Sequence, residues 1–325
     1  MSTSILGIDL AKDSYQATLL QAQHTARQSF QNQPTAFADL TRWLQAHGVT
    51  TLHACMEATG RYGEPLASYL HTQGYTVSVI NPAQIKHYAK SQLRRNKTDK
   101  VDADVIAQFA QTQQPPAWQP TVPEIRELDE LLHQYDALQA ARQQENNRLR
   151  AGVQSESVRH LLTEHLAFLE AQLAEVLHLI EEHIDRHPDL KANQRLLTSI
   201  PGIGALTAAK LQTLDLQRFD SARAASAFVG LNPQQHTSGS SIHRRARLSK
   251  MGDAAMRRAL YMPAVCAKRF NPLIRDLCLR LADKGKHNLA IIGAAMHKLL
   301  CLAYGVLKSR QPFDPNYAKI HPVTP

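Results

Sequence analysis

Two aspartates three residues apart carry the clearest chemical signal in this sequence. Asp99 and Asp102 stand beside an apolar set with helical spacing: Val101, Val105, Ile106 and Phe109. Positions i and i+3 are neighbours on one face of a helix, so two carboxylates there must repel each other or share a cation. Lys97 and Lys100 could neutralise the pair, and a solvated charged turn is therefore the alternative.

Two further carboxylates are expected to approach this pair. Asp9 is the only charge within an apolar first strand, and Glu57 ends the fourth predicted strand. If those strands are adjacent, both side chains emerge at one end of the sheet, where a late helix could bring Asp99 and Asp102. Carboxylate oxygens suit Mg²⁺ or Mn²⁺, and two such ions can clamp a phosphodiester. Taken alone, Asp9 could simply cap a turn.

A serine-rich stretch followed by a basic run is the second chemical feature. Ser238, Ser240 and Ser241 precede four cations: Arg244, Arg245, Arg247 and Lys250. A serine hydroxyl that attacks a phosphodiester needs cations to neutralise the transition state, and the attack leaves a covalent phosphoserine. A flexible loop, or one that only grips phosphate, is the alternative. Composition does not rank the three serines.

The elements that must position these residues begin with a mixed sheet. The predicted strands cover residues 4–10, 15–20 (antiparallel to the first), 25–31, 51–57 and 77–80. The first predicted helix begins at Pro34, and three more cover residues 63–73, 83–94 and 100–112. This order predicts a mixed sheet with helices packed on it. With its acidic set, the domain resembles the ribonuclease-H-like fold in its RuvC-like form.

The first strand also permits a rival interpretation. The run Ile5 to Ala11 is similar to the phosphate-binding hairpin of actin-like ATPases, which share this strand order. Those hairpins need glycines so that the backbone can wrap a phosphate. The residues that follow here are Ala11, Lys12 and Asp13, which favours the metal interpretation.

Beyond a proline-rich boundary at residues 114–123, the sequence predicts mostly helices. Two long polar helices, the second with a narrow apolar seam over residues 158–184, predict an antiparallel coiled-coil hairpin whose exposed seam would suit self-association. His183 and His187 are expected to face solvent. Residues 232–249 are expected to form a loop, and residues 252–309 to be helical.

A tight turn, Pro201-Gly-Ile-Gly204, lies between two predicted helices and has the form of a helix-hairpin-helix. Gly202 and Gly204 would let backbone N–H groups approach a phosphate beside a helix N-terminus. The alternative is an ordinary tight turn between helices, where glycine and proline are common.

Charge and composition narrow the class of protein. The net charge is +9, and residues 240–300 hold thirteen Lys/Arg against three Asp/Glu, which favours a nucleic-acid partner. The four cysteines form no CxxC pair, as is typical of a protein in a reducing cytoplasm without a structural zinc site. No signal peptide is evident, and no run is expected to be apolar enough to span a membrane.

Together these residues resemble a known family, the insertion-sequence transposases that join a RuvC-like D-E-D-D domain to a C-terminal domain with an essential serine. That family includes the bridge-RNA-guided DNA recombinases. The matching stretches follow family order along nearly the whole chain: Gly7–Lys12, Glu57–Tyr62, Val79–Pro82, Asn96–Ala103, Ile200–Gly204, Phe228–Pro233, Ser238–Ser241 and Arg258–Pro263. One local difference is that Gln234 and Gln235 follow Pro233 where basic residues are expected.

The resemblance implies three domains: a RuvC-like domain at 1–115, a coiled-coil hairpin at 122–187 and a serine transposase domain at 190–325. It implies that Asp9, Glu57, Asp99 and Asp102 bind Mg²⁺ and that Ser238 is the nucleophile. It further implies a homo-oligomer, dimer to tetramer, that acts on donor and target double-stranded DNA with a structured guide RNA in the bacterial cytoplasm, at the nucleoid. The alternatives are a RuvC-like nuclease or junction resolvase that uses only the acidic site, and a non-enzymatic nucleic-acid-binding scaffold.

Overall fold

The computed structural model describes residues 3–22, 24–58, 60–92, 99–238, 242–249 and 251–316. The chain divides into two compact units, here called the N-terminal unit (Met1–Thr121) and the C-terminal unit (Val122–Pro325). The three-domain division inferred from the sequence stays a prediction.

The N-terminal unit is a five-stranded mixed sheet covered by helices, as the sequence predicts. Its strands are β1 Ser4–Leu10, β2 Ser14–Gln21, β3 His24–Gln31, β4 Leu52–Glu57 and β5 Thr76–Ile80. Its helices are α1 Phe37–Ala46, α2 Glu64–Thr72, α3 Pro82–Ser91 and α4 Asp99–Gln113. The strand order is β3-β2-β1-β4-β5. β1 is antiparallel to β2, as predicted, and parallel to β4, so the first and fourth strands are adjacent, which is the condition for Asp9 and Glu57 to emerge together.

Both faces of β1 are covered, which explains why it is a nearly continuous apolar run rather than an alternating one. On one face, Leu6 and Ile8 pack with apolar residues of α1 and α2. On the other, Ile5 belongs to a cluster with residues of α4: Val105, Ile106, Ala107, Phe109 and Ala110. β1 is therefore the central strand of a helix–sheet–helix sandwich.

The C-terminal unit is mostly helical. Its helices are α5 Pro123–Arg150, α6 Glu156–Arg186, α7 Pro188–Thr198, α8 Ala205–Thr213, α9 Ala222–Val229, α10 Ala254–Phe270, α11 Pro272–Asp283 and α12 Asn288–Ser309. The predicted fold class, a mixed α/β domain followed by a mostly helical region, is confirmed.

α5 and α6 form the predicted antiparallel hairpin, but two expectations about its surface are wrong. The seam of α6 from Leu162 to Ile184 is buried rather than exposed, and its end packs against Leu128 and Leu132 of α5. His183 is 1 % exposed, and its Nε2 lies 2.8 Å from the Glu124 carbonyl oxygen at the start of α5. The apolar seam of α6 and His183 therefore hold the hairpin together. Both would face solvent if α6 were an isolated helix.

The expected loop at 232–249 is instead a two-stranded antiparallel sheet, β6 Pro233–Ser238 and β7 Ile242–Leu248. These strands are polar and basic, so they lack the apolar alternation that reveals a strand in a sequence. Backbone pairing holds them together, and the Ser249 amide donates to the Asn232 carbonyl at 3.0 Å just below the sheet.

α12 is the central core helix of the C-terminal unit, with ten buried residues. Among the described helices it alone is long and apolar enough to cross a membrane, although half of that stretch is buried inside the protein. The expectation that no run reaches this length and composition was wrong, because a helix buried on most sides also becomes continuously apolar.

Candidate functional site

Asp9 and Glu57 lie at the same edge of the sheet. The parallel register of β1 and β4 ends with Ile8 beside Met56, and the next residues are Asp9 and Glu57. Residues at one register step of neighbouring parallel strands project to the same face. Both residues are half-buried. Cys55 of β4 projects to the same face as Asp9 and Glu57. Burial, and to a smaller extent the charge of Glu57, raises the pKa of the Cys55 thiol to about 12 and keeps it protonated.

The backbone of helix α4 packs directly against Gly7 of β1. A Cβ on Gly7 would overlap the Ala103 carbonyl oxygen and the Ala107 amide nitrogen, so only glycine permits this contact. Ile5, two residues earlier on the same face, belongs to one buried cluster with Phe109 and Ala110 from the later turns of α4. The helix therefore runs antiparallel to β1, and its first turn lies toward Asp9.

This orientation places the acidic start of α4 near the edge that carries Asp9 and Glu57. Asp102 is half-buried, and Asp99 is the first residue of the helix, although its side chain lies outside the described part of the structure. Among the described side chains, no three His, Cys, Asp or Glu groups converge closely enough to hold a metal ion. The four carboxylates share the oxygen chemistry that Mg²⁺ requires, and the fold brings their elements to one edge.

Asp104 fixes the same segment of α4 to the sheet. Arg27 of β3 donates from Nε and Nη2 to its two carboxylate oxygens at 2.8 and 3.0 Å, and Thr18 of β2 donates from Oγ1 at 2.9 Å. The hydrogen bond to Asp104 is the main cause of a raised pKa of Arg27. Sequence patterns did not single out Asp104, because its partners lie on strands far away in the chain.

Of the three serines, the structure describes the backbone of Ser238. Ser238 is the last residue of β6 and pairs with Ile242, the first residue of β7. The backbones of Arg244, Arg245 and Arg247 belong to β7, opposite the polar strand that contains Gln234. Ser240, Ser241 and Lys250 lie outside the described residues, as do the side chains of Ser238 and the three arginines.

The residues just before β6 and just after β7, here called the root of the hairpin (228–232 and 249–253), are joined by contacts that the sequence did not reveal. A Cβ on Gly252 would overlap the Phe228 carbonyl oxygen, and the Asp253 amide donates to that oxygen at 3.2 Å. Arg257 donates from Nη1 to the Val229 carbonyl at 2.7 Å. The end of α9 and the start of α10, which flank β6 and β7 in the chain, are therefore held together.

The two glycines of the predicted helix-hairpin-helix have different roles. Gly202 has a φ of +107°, and a Cβ there would lie 2.6 Å from the Ala267 Cβ, so close packing against α10 is a sufficient reason for glycine. Gly204 is exposed, has an ordinary φ of −88° and precedes α8. Only Gly204 has the space around it that the approach of a phosphate requires.

Comparison with known proteins places this geometry in context. A family model described as Transposase (DEDD_Tnp_IS110) matches residues 6–156, and one described as Transposase IS116/IS110/IS902 family matches residues 194–278. The pilin gene-inverting protein of Moraxella lacunata is 35 % identical over 320 residues, covering 97 % of this chain and 98 % of that protein. The transposase for insertion sequence element IS1111A of Coxiella burnetii is 26 % identical over 285 residues, covering 79 % and 75 %.

The first match covers the sheet edge with Asp9, Glu57 and the start of α4, and a DEDD-type domain indicates dependence on a divalent metal. The second covers the hairpin that contains Ser238 and its clamped root. Since a relative of this identity matches almost end to end, the chain belongs to the IS110/IS116/IS902 family of transposases.

Proposed function

We propose that this transposase cuts and rejoins DNA through a transient phosphoserine at Ser238, assisted by Mg²⁺ held by Asp9, Glu57, Asp99 and Asp102. Membership of the family makes the chain a DNA-acting transposase or recombinase; the nucleophile, the identity of the metal and the partners belong to the proposal. The observation that carries it is the β-hairpin, which presents Ser238 at its end and follows it with a strand of arginines.

At the hairpin, the DNA phosphodiester is exchanged for a phosphoserine diester and then restored in the new strand. The Ser238 Oγ forms a bond to phosphorus, its proton leaves, and the bond from phosphorus to one deoxyribose oxygen breaks with protonation of that oxygen. A deoxyribose hydroxyl then attacks the phosphoserine, which restores the serine and joins the new strand. Arg244, Arg245, Arg247 and Lys250 neutralise the charge on the non-bridging oxygens.

The acidic set supports this step from the sheet edge. When bound there, Mg²⁺ (or Mn²⁺) supplies Lewis-acid stabilisation of the developing negative charge. Asp9 and Glu57 would contribute oxygens from two neighbouring strands, and Asp99 and Asp102 would contribute them from the first turn of α4. Gly7 and Asp104 hold that turn close to the strands.

The partners follow from the family resemblance. Donor and target double-stranded DNA are brought together by a dimer or tetramer at the bacterial nucleoid, and a structured guide RNA selects their sequences. The basic surface, including the turn at Gly204, binds the nucleic-acid backbones, so binding weakens with salt. A relative named for inverting a pilin gene supports recombination rather than simple hydrolysis.

Trapping the covalent intermediate tests the proposal. Purified wild-type protein, incubated with its element-end DNA and denatured, should yield a DNA–protein adduct that maps to a phosphoserine at residue 238. Ser238→Ala should abolish both the adduct and strand exchange, whereas Ser240→Ala and Ser241→Ala serve as matched controls that retain them. Cutting by Ser238→Ala without an adduct would instead identify a metal-only nuclease.

The acidic set is tested separately with Asp102→Ala. Strand exchange should fall by at least about a hundredfold, as when one main stabiliser of transition-state charge is removed. Undiminished exchange would eliminate the metal site from the proposal and leave the serine hairpin as its only supported part.

A further inference from the structure

The Arg218 guanidinium lies over two phenyl rings near the root of the serine hairpin. Its Cζ is 4.8 Å from the ring centre of Phe219 and 4.8 Å from that of Phe228, and the two rings are tilted by 52° with centres 5.3 Å apart. Within the described part of the chain, the Arg218 side chain forms no hydrogen bond or ion pair. Because the two ring centres are only 5.3 Å apart, both rings lie on the same side of the guanidinium carbon, and its N–H donors are left for another partner.

The two rings differ in how they are held. Phe219 packs against the core of the C-terminal unit, and its carbonyl accepts a hydrogen bond from the Tyr304 hydroxyl at 3.0 Å. Phe228 is 45 % exposed, yet its backbone is fixed by the contacts with Gly252 and Asp253. The structure thus presents a half-exposed phenyl ring, on a fixed backbone, next to a stacked cation.

This group of residues lies at the other end of β6 from the proposed nucleophile Ser238. Phe228 is near the end of α9, and β6 begins five residues later at Pro233. The six residues of β6 lead to Ser238 over about 20 Å, which is roughly six base steps along a DNA strand. A strand that follows β6 from Ser238 would therefore come to Pro233 within about six nucleotides, and Phe228 lies five residues before Pro233 in the chain.

We propose that Arg218, Phe219 and Phe228 form a stacking platform for one unpaired nucleotide of the nucleic-acid strand engaged at the hairpin. The exposed ring of Phe228 stacks on the base, and the guanidinium donates to the adjoining phosphate. Aromatic rings beside arginine are how proteins hold single strands without reading their sequence. The excess of cations over residues 240–300 matches a polyanion. The platform rests on the proposed function in one respect: a nucleic-acid strand must be bound at the β6–β7 hairpin.

Binding of short strands tests the platform without any cutting. Fluorescein-labelled oligo(dT) and oligo(U) of 15 nucleotides, and a 20-base-pair duplex, are titrated with full-length protein in the Ser238→Ala background. Phe228→Ala should weaken binding of one or both single strands about tenfold and change duplex binding less than about twofold. Weaker binding of oligo(dT) alone identifies DNA as the source of the nucleotide, and weaker binding of oligo(U) alone identifies RNA. Weaker binding of both shows that the platform accepts a nucleotide from either kind of strand.

Phe270 provides the matched control. It is also exposed (62 %), and Arg269 lies over its ring at 5.4 Å, but it ends α10 about 25 Å from that helix's first residue. Phe270→Ala should leave single-strand binding unchanged.

Two further variants examine the stacked base and the phosphate. Phe228→Trp should retain binding and show quenching of its indole fluorescence by the stacked base. Arg218→Gln should reduce the slope of log affinity against log salt concentration by about 0.7.

Three results would overturn the platform: unchanged single-strand binding by Phe228→Ala, an equal loss in Phe270→Ala, or an equal loss of duplex binding. The thermal unfolding of Phe228→Ala and Phe228→Trp is compared so that lost binding is not mistaken for lost folding. Because these titrations need no reactive serine, failure of the phosphoserine mechanism would show as a missing adduct while the platform results stand.

Discussion

Arg27 on β3 and Asp104 on α4 form a two-pronged ion pair, with Nε to Oδ1 at 2.8 Å and Nη2 to Oδ2 at 3.0 Å. The pair spans from an edge strand to the helix that begins with the candidate metal ligands Asp99 and Asp102. Because α4 also rests on Gly7, the helix is fixed at two points, one polar and one steric. The position of the acidic turn therefore depends on residues outside the proposed metal set.

Removing the ion pair should loosen α4. We expect Asp104→Asn to lower the free energy of unfolding by about 1 kcal/mol, since hydrogen bonds to a charged group are lost but Arg27 is half exposed. Urea unfolding of the full chain measures this change. Asp39→Asn is the control, because its partner Arg42 lies on the same exposed helix face and such pairs contribute less than about 0.5 kcal/mol. Equal effects of the two variants would contradict a role for Asp104 in fixing α4.

Adding one methyl group at Gly7 should displace α4 from the sheet. Gly7→Ala is expected to destabilise the protein by about 3 kcal/mol, because the new Cβ meets backbone atoms of Ala103 and Ala107 that cannot rotate away. Strand exchange should fall even in the folded fraction. Gly305→Ala is the control: nothing lies within 4 Å of a Cβ there, and alanine in a helix should stabilise by about 0.5–1 kcal/mol. A fully active Gly7→Ala protein would show that the acidic turn tolerates displacement.

Substitution of the two glycines in the Pro201–Gly204 turn should separate packing from nucleic-acid binding. Gly202→Ala should cost about 3 kcal/mol, because it combines a left-handed φ with overlap against Ala267. Gly204→Ala should change stability by less than about 0.5 kcal/mol and weaken DNA binding if a phosphate approaches this backbone. Thermal unfolding and duplex titration are measured side by side. Wild-type DNA affinity in Gly204→Ala would leave the turn with a packing role alone.

Acid should weaken the C-terminal unit through His297. Burial lowers the pKa of its imidazole below 6.5, and the neighbouring charge of Lys298 lowers this pKa further. The folded state therefore favours the neutral ring, and the unfolded state binds more protons at mildly acidic pH. Stability is full above the unfolded pKa of about 6.5 and is lost as the pH falls through the lowered folded value.

Urea unfolding midpoints between pH 7.5 and 5 measure this effect. His297→Gln should reduce the loss of stability across that range. His53, whose pKa is also lowered by burial, supplies a separate part of the slope, so His53→Gln and the double variant complete the comparison. An unchanged slope in His297→Gln would show that this imidazole has the same pKa in the folded and unfolded chain.

Much of this protein was determined locally by its sequence. The strands β1 to β5 and the long helices follow from hydrophobic period and from Pro and Gly punctuation, because those signals need only a few neighbouring residues. The acidic residues Asp9, Glu57, Asp99 and Asp102 were recognisable from type and spacing, and the neighbourhood of β1 and β4 places Asp9 and Glu57 at one edge.

Only the tertiary structure decided which distant groups meet. The β6–β7 hairpin was hidden because polar strands joined by backbone hydrogen bonds leave no apolar pattern, and the burial of His183 depends on the opposite helix of its hairpin. The ion pair of Asp104, the contact of Gly7 with α4 and the stacking of Arg218 on Phe228 join residues far apart or on different elements. A sequence period records which face of an element is apolar, but close approach between elements depends on the packing of the whole unit.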